Sequence, residues 1–377
     1  MDIIILSSNS VIYDIRIRKI VKSLQKKYAV SILGWNREKL CSEKIHSFIV
    51  KPILFSLKAP YGKPALILYY PVFWTWLLLR LFKYKPRIVH SCDFDTLIPG
   101  LIYKMIFRKR LIFDVFDRYS GYVPLNFKKL QSVLNWLEEF LSTKADVMIT
   151  VTDKVLSTFR MKPAHCAIIM NYSEDNPSIS SKREGNIKEN SNDKKKNNDV
   201  FRLVYTGAVQ KNYGLERIIA AIDGLDNVEL AIAGRIIDKE FLDQILQLPN
   251  IKYHGLLQHS DALALEGNSD VLMVLYDLKY SVADLSSPNK IFEGMMCGLP
   301  IITNMETKLV NEVGCGIIVD YDDIDQIKAA VIRLRDNIEL RRTLGNNGRR
   351  AFLQKYNWTR MEEQLHRIYE DLLIASK

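Results

Sequence analysis

Short apolar runs alternate with amphipathic helical patterns along almost the whole chain. In the first half these runs are IIIL (3–6), AVSILG (29–34), RIVHS (87–91), RLIFD (110–114), DVMITV (146–151) and AIIM (167–170). Runs that stay apolar from one residue to the next are typical of strands covered on both faces, and strands alternating with helices form parallel sheets. The sequence therefore predicts an α/β fold with parallel sheets.

A polar segment divides the alternation into two halves. Residues 173–200 are rich in Ser, Asn, Lys and Glu and can bury almost no apolar surface, which indicates a linker or surface loop. The strand-like runs then resume as FRLVYTG (201–207), VELAIAG (228–234), IKYHG (251–255), DVLMVLY (270–276), PIIT (300–303) and GIIVD (316–320).

We therefore expect two Rossmann-like, doubly wound domains that face each other across a cleft. The first is residues 1–172 and the second is residues 201–358, with 173–200 as the linker between them. A C-terminal helix at 359–377 is expected to pack back toward the first domain. Because open α/β sheets bind ligands at the carboxyl ends of their strands, we expect the active site in the cleft.

Composition restricts the class of protein but not its partner. The chain has 377 residues, of which 48% are hydrophobic, and a net charge of +10, which suggests a phosphorylated ligand, an acidic membrane or nucleic acid. Five cysteines at wide spacings include no C-x-x-C pair, so neither a zinc site nor a disulfide framework is indicated. The start MDIIILSS lacks the features of a signal peptide, so we expect a cytoplasmic protein.

One segment leaves the relation to membranes open. Residues 65–82 read ALILYYPVFWTWLLLRLF, slightly short of the roughly 20 apolar residues of a spanning helix, and they contain Pro71. Basic residues follow at Lys83 and Lys85. The segment is interpretable as a buried helix, as a helix lying in a membrane interface with its basic residues at the headgroups, or as a true span.

Residues 286–304, SSPNKIFEGMMCGLPIITN, carry the most specific chemistry. The turn 286–288 precedes a helix whose free N–H groups and positive dipole end suit a diphosphate. Lys290 adds a full positive charge in the first turn. Glu293 lies one turn further and can accept hydrogen bonds from two vicinal hydroxyls, such as those of a ribose. Residues 298–300, Gly-Leu-Pro, end the helix and start a strand.

This segment resembles the donor-binding signature P-x-K-x-F-E-x-M-x-x-G-x-P of retaining family 4 glycosyltransferases, the glycosyl transferases group 1. Other segments similar to that family are PRIVHSCDFDTLIPG (86–100), RLIFDVFDRYSG (110–121), VMITVTDKV (147–155), IIMNYSED (168–175), VYTGAVQKNYGLERIIAAI (204–222) and LAIAGR (230–235). The resemblance implies the glycosyltransferase-B fold and a retaining, hexosyltransferase-like enzyme. Its donor would be a nucleotide sugar, with UDP favoured over GDP.

The resemblance and the positions of polar residues together give a set of candidate site residues. The donor-binding candidates are Gly207, Lys211, Arg235, Ser286, Ser287, Pro288, Asn289, Lys290 and Glu293. The catalytic candidates are Asp117, Lys290, Arg235 and His90. The acceptor-side candidates are Asp14, Arg16, Asp93 and Asn171. Structural alternatives stay open for three of them: His90 as a buried core residue, and Asp117 and Asp93 as caps.

The chain also departs from the family pattern. Leu285 stands where many members carry the first glutamate of an E-x7-E pair, and Phe116 stands where many carry a histidine. Ala208 and Tyr213 occupy places that are often basic, and residues 7–10, Ser-Ser-Asn-Ser, replace a Gly-Gly loop. These departures affect residue roles more than the family resemblance.

The function expected from these observations is sugar transfer to a saccharide acceptor, lipid-linked, in polysaccharide or glycolipid assembly. Partners would be the nucleotide sugar, the acceptor and, peripherally, an anionic membrane at its cytoplasmic face, but not nucleic acid. We expect no cofactor and no metal, since the donor segment has no D-x-D-like pair. The alternatives are a sugar-nucleotide epimerase and a non-catalytic nucleotide-sugar-binding protein. A dinucleotide oxidoreductase is disfavoured because no strand is followed by G-x-G-x-x-G.

Overall fold

The computed structural model describes residues 1–9, 11, 14–37, 50–59, 64–122, 127–179, 200–279 and 289–374. The chain divides into two compact units, each with its own sheet and hydrophobic core. The first comprises Met1–Asn171 and the C-terminal residues from Met361 onward, and the second runs from Tyr172 to Arg360. Most of the predicted linker, 180–199, lies outside the described residues.

The first unit is built on a parallel sheet with seven strands in the described residues. These are β1 (Ile3–Ser7), β2 (Val30–Trp35), β3 (Ile53–Phe55), β4 (Ile88–Cys92), β5 (Arg110–Val115), β6 (Val147–Thr150) and β7 (Cys166–Ile168). They lie in the order β3-β2-β1-β4-β5-β6-β7, and every neighbouring pair is parallel. All residues of β1, β2 and β4 are buried, as expected for central strands covered on both faces.

The second unit repeats this arrangement with six described strands. These are β8 (Phe201–Thr206), β9 (Val228–Ala233), β10 (Ile251–Tyr253), β11 (Val271–Val274), β12 (Ile301–Thr303) and β13 (Gly316–Ile318). Their order is β10-β9-β8-β11-β12-β13, again with all pairs parallel. The predicted fold class, two Rossmann-like α/β domains, is confirmed.

Helices connect the strands in both units. In the first unit they are α1 (Ile15–Leu24), α2 (Tyr70–Tyr84), α3 (Phe94–Phe107), α4 (Lys128–Ser142) and α5 (Asp153–Ser157), with 3-10 helices at Pro64–Leu68 and Tyr119–Tyr122. In the second they are α6 (Leu215–Ile222), α7 (Lys239–Ile245), α8 (His259–Gly267), α9 (Asn289–Cys297), α10 (Thr307–Val313), α11 (Ile324–Asp336) and α12 (Ile338–Gln354), with a 3-10 helix at Lys211–Tyr213. The last helix, α13 (Trp358–Ile374), begins in the second unit and continues in the first.

Short polar side chains define where several helices begin. Each accepts a hydrogen bond from a backbone N–H group of the first helical turn, which would otherwise lack a partner. These caps are Asp14 on α1, Thr152 on α5, Asp238 on α7, Asp323 on α11 and Asn337 on α12.

Each sheet has a point at which the strand order reverses. β1 pairs with both β2 and β4, and β8 pairs with both β9 and β11. Open α/β sheets bind ligands beyond the carboxyl ends of their strands at such a switch point. The residues that follow β1, β4, β8 and β11 are therefore the places where a site is expected.

The apolar segment 65–82 forms the 3-10 helix Pro64–Leu68 and most of α2. The inward face of α2 is buried in the core of the first unit and consists of Tyr70, Phe73, Leu77 and Leu81. By length and composition, Leu66–Tyr84 is the one helical stretch in the described residues that could cross a membrane. Only 22% of this stretch is buried inside the protein. The Trp74 indole N–H donates to the Asp95 carbonyl over 2.6 Å, which joins α2 to α3. One face of the helix is therefore buried in the core of the first unit and the other face is exposed.

Candidate active site

The carboxyl ends of β8 and β9 are held together by a close backbone contact. Gly207 follows β8, and its N–H group donates to the Ala233 carbonyl over 2.9 Å. Gly234 follows β9 with φ of +152°, and a Cβ atom there would lie 1.6 Å from the Gly207 carbonyl oxygen. Only glycine fits at this position, so the loops after the two strands can lie side by side.

Two predicted donor-binding cations lie on these loops. Lys211 opens the 3-10 helix after β8, and Arg235 directly follows Gly234; both side chains are exposed. The Lys211 ammonium lies 6.0 Å from the centre of the Phe241 ring. Neither cation has an ion pair with a carboxylate among the residues that the structure describes. Their charges are therefore available to an anionic ligand.

Lys290, in the first turn of α9, lies between two carboxylates. Its Nζ atom is 3.1 Å from Glu266 Oε1 and also forms an ion pair with Glu293 Oε2. The Glu266 side chain is completely buried, Glu293 is 4% exposed, and the Lys290 side chain is 23% exposed. In the structure, Lys290, Glu266 and Glu293 thus form one ionic cluster, and the contact of Lys290 with a diphosphate stays a prediction.

The protonation of this cluster follows from its burial. Burial alone would lower the pKa of Lys290, but the Glu266 and Glu293 carboxylates raise it above the ordinary lysine value. Burial raises the pKa of Glu266; Lys290 acts against this shift and Glu293 adds to it. The cluster therefore carries one net negative charge when Glu266 is ionised and none when Glu266 is protonated.

Sequence reasoning missed two members of this site, Glu266 and His259. The Thr206 hydroxyl at the end of β8 donates to Glu266 Oε1, which ties the cluster to the switch point of the sheet. His259 Nδ1 lies 3.9 Å from Glu293 Oε1. His259 and Glu266 are seven residues apart and so share one face of α8 with the buried Leu263 between them. The spacing of these two titratable residues around an apolar leucine is the sequence pattern from which both could have been proposed as site residues.

The remaining donor candidates belong to the start of α9. Asn289 is its first residue and is exposed. Ser286, Ser287 and Pro288 lie outside the described residues, as does Leu285. Their predicted contacts with the donor stay predictions.

In the first unit, the Asp114 carboxylate on β5 is the centre of a buried polar network. Arg16 of α1 donates to it twice, from Nη2 to Oδ1 over 2.7 Å and from Nε to Oδ2 over 3.1 Å. His90 Nε2 lies 3.2 Å from Asp114 Oδ2, and its Nδ1 lies 2.6 Å from the Tyr369 hydroxyl on α13. Burial alone would raise the pKa of Asp114, but Arg16 and His90 lower it below the ordinary value.

This network corrects the predicted role of His90. Its side chain is completely buried and both ring nitrogens have partners inside the first unit. The geometry therefore gives His90 a structural role in place of the predicted catalytic one. The sequence alone does not show whether a histidine side chain on a strand points into the core or toward a ligand.

Three predicted acceptor-side residues are also used internally. Arg16 is 4% exposed, and its Nη1 donates to the Ile169 carbonyl over 2.5 Å and to Asn171 Oδ1 over 3.1 Å. Asp14 accepts from the Ile17 N–H over 3.0 Å as the cap of α1. Asp14 and Arg16 thus hold this edge of the sheet together, and their contact with a substrate stays a prediction, as does that of the half-exposed Asn171.

Asp93, which directly follows β4, has an unusual backbone. Its φ of +61° is uncommon for a residue other than glycine, and such strain is concentrated at functional sites. Its Oδ1 accepts from the Phe116 N–H over 2.9 Å, so its side chain does not cap α3. Burial, reinforced by repulsion from Asp95, raises its pKa well above the ordinary aspartate value. Asp117, two residues beyond β5, is half-buried at the same edge.

Comparison with known proteins finds similarity to glycosyltransferases. The family model described as glycosyl transferases group 1 matches residues 186–351. An uncharacterized glycosyltransferase of Methanocaldococcus jannaschii is 25% identical over 325 residues, covering 80% of this chain and 79% of that protein. The capsular polysaccharide biosynthesis glycosyltransferase CapM of Staphylococcus aureus is 25% identical over 193 residues, covering 48% of each chain.

The fold has a solved counterpart in HepE of Anabaena, determined in complex with UDP and glucose. It matches with a TM-score of 0.72 over 98% of this chain and 99% of that one, at 13% sequence identity. At this identity the likeness concerns the fold alone, and it confirms the predicted glycosyltransferase-B architecture. The segment matched by the family model contains the ionic cluster and both loop cations. These findings show that the chain is similar to glycosyltransferases of the group 1 type.

Proposed function

We propose that the protein is a retaining glycosyltransferase that moves a hexose from a nucleoside diphosphate donor, UDP in preference to GDP, to a saccharide acceptor. The observation that carries the proposal is the ionic cluster of Lys290, Glu266 and Glu293, which is bonded through Thr206 to the switch point of the second sheet. HepE, which shares this fold, was solved with UDP and glucose bound, and this supports UDP as the donor nucleotide.

In this proposal Glu293 recognises the ribose of the donor. A carboxylate can accept hydrogen bonds from two vicinal hydroxyls, and a fixed orientation makes that recognition selective. Lys290 supplies this orientation because it is bonded to Glu293 and to the buried Glu266 at once. Lys290 is thus a positioning residue for Glu293, rather than the main phosphate ligand that the sequence suggested.

The diphosphate is then stabilised by other groups. The two carboxylates more than match the charge of Lys290, so the leaving diphosphate relies on Arg235, Lys211 and the backbone N–H groups at the start of α9. The Gly207 loop lies close enough to β9 to bring Lys211 and Arg235 to one edge. Because these groups supply positive charge themselves, we propose that transfer needs no metal ion and continues in a chelator.

The acceptor side of the proposal lies in the first unit. Asp117 is our candidate for orienting or deprotonating the acceptor hydroxyl, with Asp93 beside it at the carboxyl edge of the sheet. We propose a lipid-linked saccharide acceptor, reached in the cytoplasm at the membrane surface, and a role in polysaccharide or glycolipid assembly. The relative CapM is named for capsular polysaccharide biosynthesis, which supports this role.

The test is donor turnover in two variants of the cluster. Lys290→Ala and Glu293→Ala should each lower UDP release from UDP-glucose, with a panel of saccharide acceptors, at least ~100-fold, as expected when a preorganised polar group is lost. Lys308→Ala and Glu312→Ala are matched controls, because these residues form an exposed pair on α10 of the same unit. Wild-type turnover in both cluster variants contradicts the site. Sugar isomerisation without UDP release supports the epimerase instead.

A further inference from the structure

The outer face of one helical layer in the first unit is apolar. α2 packs on α3 and α3 packs on α4, and the inward side chains of all three join one core cluster, so they cover the same side of the sheet. Of the 23 exposed large apolar side chains in the described residues, 11 lie on these helices or the turns leading into them. They include Leu68, Leu79, Met105, Val133, Trp136 and Phe140. We call this surface the α2–α4 face.

α4 carries large apolar side chains on its outer face as well as its inner face. Leu137 and Leu141 pack on the core cluster, beside the buried polar residues Glu138, Glu139 and Ser142. Among the exposed residues, which include Lys128, Lys129 and Ser132, four are large and apolar: Leu130, Val133, Trp136 and Phe140 are between 41% and 58% exposed. Their spacings of three, three and four residues place them on one stripe of the helix. The outer face of a soluble helix is normally polar, so the stripe indicates a partner of low polarity.

Internal contacts hold α4 in this orientation. The Arg118 guanidinium donates to Glu139 Oε1 over 2.9 Å and lies 3.4 Å from Glu138 Oε2, so it faces both inward glutamates. On the outside, the Trp136 and Phe140 rings stack with centroids 5.5 Å apart and an interplanar angle of 7°. The aromatic stripe is therefore a fixed surface of the folded unit.

The exposed charge around the α2–α4 face has one sign. Within the described part of 64–146, every exposed charged side chain is basic, whereas the acidic side chains are buried or half-buried. These cations are Lys83, Lys85, Arg108, Lys128, Lys129 and Lys144. The Lys144 ammonium lies 5.3 Å from the centre of the Phe140 ring, so cation and aromatic stripe adjoin. A second copy would bring like charges together, which opposes self-association through this face.

We propose that the α2–α4 face docks on an anionic lipid bilayer, with the stripe of α4 entering the interface together with the outer face of α2. Exposed aromatic and aliphatic side chains enter the boundary between headgroups and acyl chains, and the surrounding lysines and arginines contact anionic headgroups. The inference deepens the proposed function, because an enzyme that uses a lipid-linked acceptor must reach the bilayer. It assigns the docking role to α4, beyond the apolar segment 65–82.

Vesicle flotation of the full-length protein tests this inference. Vesicles of phosphatidylcholine with about 30% phosphatidylglycerol at low salt should carry the wild type upward, and pure phosphatidylcholine should carry less of it. Trp136→Gln combined with Phe140→Gln should weaken binding roughly tenfold or more, since each ring removes apolar area from the interface. The matched control is Leu256→Gln with Leu353→Gln, whose side chains are 65% and 53% exposed in the second unit.

The inference is overturned if the wild type does not float, if the α4 double variant floats like the wild type, or if the control pair loses binding equally. It is also overturned if light scattering shows a dimer that the α4 double variant abolishes. Circular dichroism checks that the variants are folded, which is expected because the changed side chains are exposed. Flotation needs neither donor nor acceptor, so its failure leaves the proposed transfer reaction standing.

Discussion

Glu266 decides the charge of the donor-side cluster at the residue scale. Lys290 stays protonated and pairs with Glu293, so one proton on Glu266 changes the net charge of the three side chains from −1 to zero. His259 also lies beside Glu293, with its Nδ1 atom 3.9 Å from Glu293 Oε1. An anionic donor meets less repulsion when Glu266 is protonated, below its raised pKa.

We therefore expect the affinity for UDP-glucose, whose diphosphate keeps its charge, to fall as the pH rises across neutrality. Glu266→Gln, which keeps the shape of the side chain, should flatten this dependence, and titration calorimetry at several pH values measures it. His259→Gln is the control and should retain most of the slope. A slope that survives in Glu266→Gln and disappears in His259→Gln assigns the proton to the histidine and contradicts this account.

Arg16 gives a second residue-scale prediction, on stability. Arg16→Met leaves the buried Asp114 carboxylate without its guanidinium partner, which should cost about 3–5 kcal/mol. Denaturant unfolding followed by fluorescence measures the loss. Arg160→Met is the matched control in the same unit, since the Arg160 side chain is exposed. Equal stability of the two variants means that the Asp114 network does not support the fold as described.

Site residues could be predicted from sequence where they belong to a local pattern, and not where they depend on distant contacts. Lys290 and Glu293 are three residues apart on one helix, and the sequence identified both. Glu266 joins them from α8, 24 residues earlier than Lys290, so no local pattern connects them. His90 was assigned to catalysis because the sequence does not show that Tyr369, 279 residues away, occupies its second nitrogen.

At the level of elements, the loops that follow β8 and β9 are held side by side at Gly234. Gly234→Ala would place a methyl group 1.6 Å from the Gly207 carbonyl oxygen and should force the loops apart. We expect a stability loss of at least ~2 kcal/mol and weaker donor binding, because the loops carry Lys211 and Arg235. Thermal unfolding with and without UDP-glucose measures both effects.

The control for that change is Gly121→Ala, because nothing lies within 4 Å of a Cβ atom at Gly121. It should unfold like the wild type. A Gly234→Ala variant that is as stable as Gly121→Ala and binds donor normally shows that the close approach of the loops is not required.

Elements with a strong apolar period could be predicted from the sequence, and short elements or those apolar on two faces could not. Continuous apolar runs located the strands of both sheets to within a few residues, but β3 has only three residues and gave no pattern. α8 was missed because its apolar residues do not form a clear stripe. The pattern of α4 indicated a helix but not its orientation, which depends on Arg118 drawing Glu138 and Glu139 inward.

For the chain as a whole, one parallel sheet is formed by the sequence before the polar segment and a second by the sequence after it. The restart of the strand pattern at 201 predicted both sheets, because each strand–helix alternation implies its own parallel sheet. The contribution of α13 to the first unit follows from contacts that no local pattern encodes, such as the Tyr369 hydroxyl on His90. What each unit binds is decided by its side chains, since this fold serves many reactions.

We infer that the second unit binds a nucleotide sugar through Glu293, and titration calorimetry of the full-length protein with UDP-glucose tests this claim. We predict saturable binding that Glu293→Ala weakens about 10–100-fold, since hydrogen bonds to a charged group are lost. The exposed Glu312→Ala variant should bind like the wild type. Equal affinity of the Glu293→Ala variant and the wild type, or no binding of any nucleotide sugar by the wild type, contradicts the claim.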